Sequence, residues 1–91
     1  MQLPAVAGLE QAPALLLEID AAVAAAEGAL QLDASALSEF DTSAIALLLH
    51  AQRAARARGL ALQVQGAPAK LRQMAQLYGV AELLPLEPAP T

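Results

Sequence analysis

The chain has no cysteine and no tryptophan, and carries one phenylalanine and one tyrosine. The missing thiols exclude disulfides, thiolate nucleophiles and zinc–thiolate sites together. So few rings exclude a stacking platform for single-stranded nucleic acid, which needs several aromatic faces. No apolar run approaches the ~18 residues that a membrane span requires. The start of the chain has no basic region ahead of an apolar one, so neither a signal peptide nor a transmembrane helix is expected. These absences predict a soluble, cytoplasmic protein. Basic residues are also scarce: Arg53, Arg56, Arg58, Lys70 and Arg72 make the full set, against nine acids and a sequence pI of about 4.6. That is a weak phosphate footprint, and nucleic acid is a poor fit as a partner.

The five cations all lie between positions 53 and 72, and none of the nine acids falls inside that block. The plain reading is a set of solvated helix faces, with Arg56 and Arg58 complementing a helix C-terminus. The functional reading is a polarised surface that orients a partner during encounter. Hydrophobic residues make up 57% of the 91 residues, but many are alanine, so leucine with a few valines and isoleucines must build the core. A chain of this length buries about 60–65% of its unfolded surface and forms one domain. Residues 1–86 are assigned to it. Residues 87–91 hold two prolines and no core residue, and are expected to form a flexible tail.

Taken in order, Met1 to Gln11 has room for one short strand at Leu3, Ala5 and Val6, with Pro4 suited only to an edge. Pro13 to Ala26 reads as a helix, with Pro13 in its first turn and Gly28 just past its end. Leu15, Leu16, Ile19, Ala22, Val23 and Ala26 form its apolar stripe. Glu18 and Asp20 lie off that stripe and are read as solvent-facing charge rather than a metal pair. Leu30-Gln31-Leu32-Asp33 alternates as a strand with one buried face. Asp41, Thr42 and Ser43 are all good helix caps, and apolar helix formers follow at once. Arg58-Gly59 stops that helix. Leu60, Leu62 and Val64 then alternate as a second core strand. Gly66-Ala67-Pro68 is expected to open a last helix carrying Leu71, Met74, Ala75 and Tyr78 on one face, with the Tyr78 ring in the core and its hydroxyl at the rim. Val80 to Leu86 is expected to add a final strand.

The segment from Leu30 to Arg58 organises the rest. Its turn places two small hydroxyls, Thr42 and Ser43, beside unpaired backbone N–H groups at the positive end of a helix. Strand and helix alternate, which predicts an α/β fold with a mixed, mostly parallel sheet and helices packed against it. Partners of such sheets meet the loops at the carboxyl ends of strands, where the Asp33–Ser43 turn lies. A nucleophilic triad of Ser43, His50 and Asp41 fails on distance, since Ser43 and His50 stand about two helical turns or ~10 Å apart. His50 is expected to be an exposed helical residue. Gly28, Gly59, Gly66 and Gly79 are each isolated at an element end, so there is no phosphate-binding loop. The residues carry no catalytic constellation, no metal site and no cofactor site.

A strand ending in Asp33, a loop with Ser35, and Asp41-Thr42-Ser43-Ala44-Ile45 opening an apolar helix resemble the STAS domain, the fold of anti-sigma-factor antagonists. The likeness continues through Ala46-Leu47-Leu48-Leu49-His50, Leu62-Gln63-Val64-Gln65-Gly66, Lys70 and Leu77-Tyr78-Gly79-Val80, and so spans about Leu30 to Leu86. The later part is most similar to the MlaB-like STAS subunit of bacterial phospholipid-transport ABC transporters. Ala44 departs from the glycine usual in the family and is expected to bulk the first helical turn where a partner approaches. The N-terminal strand region is shorter than the family's usual two strands, leaving an edge that is short, covered by a partner, or paired with a second copy as a homodimer.

This resemblance implies a non-catalytic accessory subunit that binds an ABC-transporter ATPase. The implied contact surface is Asp41, Thr42 and Ser43 with the exposed side of the following helix, including His50 and Arg53. The alternative is an anti-sigma-factor antagonist in which a partner kinase, the anti-sigma factor, phosphorylates Ser43. A phosphate there would add roughly −1.5 to −2 charges beside Asp41 and so change any interface on the turn.

Overall fold

A computed structural model describes residues 1–88. Its elements are β1 (Val6–Ala7), α1 (Ala12–Ala25), β2 (Ala29–Asp33), β3 (Glu39–Phe40), α2 (Thr42–Ala57), β4 (Ala61–Ala67), α3 (Ala69–Leu77) and β5 (Leu86–Pro88). The main sheet runs β2-β4-β5, and β1 pairs separately with β3. Every named pairing is parallel, as the alternation of strands and helices predicts.

β2 and β4 are in register from Ala29 opposite Ala61 to Asp33 opposite Gln65. Leu30, Leu32, Leu62 and Val64 are buried, while Gln31 and Gln65 are exposed on the opposite side. There the Gln31 amide donates to Gln63 across the strands at 3.2 Å. Parallel sheets are usually covered on both faces, and this one keeps a polar, solvated face. Its apolar face meets the helices: α2 packs against α1, α3 and β4. Leu15, Ile19 and Val23 of α1, Ile45, Leu48, Ala51 and Ala55 of α2, and Leu71 and Ala75 of α3 complete one core. The alanines matter here, because they let the helices approach closely.

The N-terminal stretch makes two pairings where the sequence suggested room for one strand. Met1 to Leu3 runs beside β2: Leu3 N–H donates to Asp33 O and Asp33 N–H to Met1 O, each at 2.8 Å. Past Pro4, Val6–Ala7 lies beside Glu39–Phe40. Residues 1–3 therefore cover the Asp33 end of the β2 edge.

Other boundaries also move. Gly66 and Ala67 belong to β4 rather than to a helix start, and Pro68 is the N-cap of α3. The last strand begins at Leu86, not Val80, and pairs with β4. Glu87 and Pro88, assigned to a tail, are thus part of the sheet; residues 89–91 of that tail lie outside the described residues. Leu16 is partly exposed rather than core, and Tyr78 is 55% exposed rather than packed. Tyr78 is the C-cap of α3, where the helix turns at Gly79 with a φ of 70° and the ring swings off the core face. No described helix is long and apolar enough to cross a membrane.

Candidate functional site

The parallel pairing of β1 with β3 sets the site. Both strands lead at their carboxyl ends into helices, so the N-termini of α1 and α2 arrive side by side. Asp41 joins them. It caps α2 through Oδ1, which accepts from the Ser43 N–H at 2.8 Å. Its Oδ2 accepts from the Leu9 N–H at 3.1 Å, in the turn that opens α1. Gly8 of that turn donates its N–H to the Gln11 side chain at 3.0 Å, which fixes the α1 side as well.

One carboxylate thus serves two orphan-donor regions. The Ser43 N–H first, then the Ser43 hydroxyl and the Leu9 N–H, hold the Asp41 carboxyl below the usual carboxylate range. A depressed folded pKa contributes stability that is present above the unfolded value, near 3.9, and is lost as pH falls through the folded one. Asp41→Asn keeps an acceptor but removes the charge. Its melting temperature should therefore lie below that of the wild type at pH 7, with the gap closing below about pH 4. Thermal melts from pH 7 to 3 read this directly; a gap constant across that range would contradict the assignment.

With the cap inside this network, Thr42 is left exposed as the first residue of α2, and Ser43 is half-buried. Ala44 is 3% exposed. Its methyl group faces the core, so the departure from the family glycine adds no bulk toward a partner. Beside the turn lies an apolar groove of about 440 Å³, lined by Leu9, Pro13 and Leu16 on the α1 side and by Ser43, Ala46 and Leu47 on α2. Leu9 is 74% exposed at its mouth. Sequence reading missed this groove, because its walls come from segments some thirty residues apart that only the β1–β3 pairing brings together.

His50 is not free on its helix. Its Nε2 lies 2.6 Å from Asp20 Oδ1, a hydrogen-bonding contact that ties α2 to α1. Asp41, Ser43 and His50 are therefore not assembled as a triad: the carboxylate beside His50 belongs to Asp20, and Asp41 accepts backbone N–H groups. Arg53 is exposed, on the same outer stripe of α2 as Thr42, Ala46, Leu49 and Arg56. The expected surface is thus continuous along one helix face, with His50 beside it and held internally. The basic block divides in the same way. Arg58 donates to the Val23 carbonyl in the last turn of α1, and Lys70 sits over the Phe40 ring, 5.4 Å from its centroid. Arg72 is half-buried, and Arg53 and Arg56 face solvent.

The family model described as "Mlab, STAS domain" matches residues 1–85. The chain belongs to the STAS domain family, of the MlaB type. The match takes in the N-terminal pairings as well as the Asp41–Ser43 turn and α2, and the α/β architecture of three helices with parallel strands is consistent with it. No curated protein matches the chain significantly.

Proposed function

We propose that this MlaB-type domain is an accessory subunit that binds the cytoplasmic ATPase of a bacterial intermembrane phospholipid-transport (Mla-type) ABC transporter and regulates or stabilises it. It would lie in the cytoplasm, peripheral to the inner membrane through that partner. STAS domains of this type are generally non-catalytic, and the reading assigns the chain a binding role alone. The observation that carries it is the exposed Thr42 at the start of α2, on a turn braced by Asp41 to a second helix and flanked by an apolar groove. A braced turn loses little conformational freedom on binding, which favours affinity. Small side chains allow close backbone approach, and a groove beside them gives an apolar anchor a seat.

Co-expression of the wild-type chain with the transporter ATPase should yield a complex that co-elutes in gel filtration and alters the ATPase rate. Absence of a complex, with both proteins folded, would remove the reading. A kinase-switched antagonist would instead carry phosphate on Ser43. Intact-mass analysis of protein from its native cells is expected to show the unmodified mass. A stoichiometric phosphate, lost in Ser43→Ala, would favour the antagonist.

A further inference from the structure

We propose that the groove between the outer face of α2 and the turn before β5 is a second docking surface, one that takes an acidic protein segment bearing a bulky apolar side chain. The groove measures about 430 Å³ and is lined by Leu49, Gln52, Arg53 and Arg56 of α2 with Glu82 and Leu83. It shares the outer stripe of α2, Arg53 included, with the face proposed above, but its second wall is the Glu82–Leu83 turn, which that face lacks, and it does not depend on the identity of the ATPase.

Three observations converge on that ligand. Leu83 is 54% exposed, yet its backbone is held: the Gln52 side chain donates to its carbonyl at 3.1 Å. The apolar wall is therefore fixed to the helix rather than loose. Leu49, half-buried, forms the floor opposite. Arg53 and Arg56 then stand one helical turn apart on the rim, both exposed. Neither lies within ion-pair reach of a carboxylate among the described residues. Arginine is enriched in binding hot spots, the leucines offer an apolar side chain a seat, and two guanidiniums on the rim select carboxylates.

Glu82 sets the direction. As the one acid lining the groove, it repels a carboxylate from its own end and leaves the arginine end for the acidic residues of the ligand. An anionic bilayer fits less well. Lipid-binding basic segments carry roughly four to eight cations, whereas this face has two arginines on a protein of net charge −4.

The test is selection of a random-peptide display library on the full chain, followed by fluorescence polarisation with the best synthetic peptide. Selected peptides should combine Asp or Glu with Leu, Phe or Met. The double variant Arg53→Glu/Arg56→Glu should bind about 30-fold more weakly, the size of a hot-spot loss. Both arginines are on the surface, so circular dichroism should report an unchanged fold. Leu83→Ser should also weaken binding, added salt should weaken it further, and Thr42→Arg should leave it unaltered. That last result separates this groove from the turn, whichever of the two proposals fails. Selection of peptides without acidic residues, or equal affinity for the charge-reversed variant, would overturn the proposal. So would co-sedimentation of the chain with phosphatidylglycerol vesicles that the same reversal abolishes, if no peptide is selected.

Discussion

Thr42→Arg is expected to leave the domain folded and to abolish its complex with the transporter ATPase. Thr42 is exposed, is the first residue of α2, and uses no side-chain hydrogen bond within the described residues. The free domain therefore accommodates a longer side chain, at the small cost of a cation near a helix N-terminus. At an interface the balance changes. The new guanidinium would fill the space in which a partner backbone approaches, and burying it unpaired costs about 3–5 kcal/mol, a hundredfold or more in affinity. Thr42→Ala removes one hydroxyl and should cost about 0.5–1.5 kcal/mol, a few-fold to about tenfold. Co-purification and titration calorimetry, with circular dichroism as the folding control, distinguish these outcomes. A folded Thr42→Arg that co-purified at the wild-type level would show that the turn is not the contact.

The largest effect on stability is expected at Gly66→Ala. Gly66 lies in β4 with a φ of 69°, in the left-handed region that costs an L-residue about 1–2 kcal/mol. A Cβ there would also lie 2.9 Å from Ser35 Cβ and 3.2 Å from Ser35 Cα. The Ser35 loop cannot step aside freely. Its Ala34 N–H donates to Gln65 O at 2.8 Å, and the Ser35 N–H donates to Asp33 Oδ1 at 2.9 Å. Strain and displacement together should cost about 3 kcal/mol or more. For a domain of this size that lowers the melting temperature by roughly 12–24 °C. Ser35→Gly in the same chain should recover the part due to the Ser35 Cβ contact and leave the dihedral part and the contact with the Ser35 backbone. A Gly66→Ala protein melting within a few degrees of the wild type would contradict this account of the turn. The close approach at Gly66 and the Ala34–Gln65 bond together tie the Asp33–Ser35 loop to β4.

How much of this was legible in the chain follows from the range of each interaction. Leu30, Leu32, Leu62 and Val64 alternate over enough residues for the pleat to declare itself, and all four are buried. The helix behind Asp41 was legible because a cap and an apolar stripe are local signals, and Asp41 is the N-cap. The pairing of β1 with β3 was not, since strands as short as Val6–Ala7 and Glu39–Phe40 are too brief for any periodicity to show. Everything built on that pairing was hidden with it: the Asp41–Leu9 bond, the apolar groove beside Ser43, and the meeting of two helix N-termini. The Asp20–His50 contact joins two helices whose relative rotation no local pattern fixes. Tyr78 was misplaced because helical spacing was extended through the cap, where the backbone leaves the helix. Thr42 and Arg53 were named through the resemblance, and α2 exposes both. The second groove was not legible, because Leu83 reaches it only after the chain has turned back toward β4.

The most direct measurement exploits the missing cysteines. Ala46→Cys introduces a single thiol on the exposed face between Thr42 and Arg53, and Gln31→Cys does so on the solvated face of the sheet. Each variant, labelled with a benzophenone maleimide, is mixed with the transporter ATPase and irradiated. The account predicts a covalent adduct with the ATPase from position 46 and none from position 31. An adduct from position 31 alone, or a co-purifying complex that position 46 never labels, would contradict it.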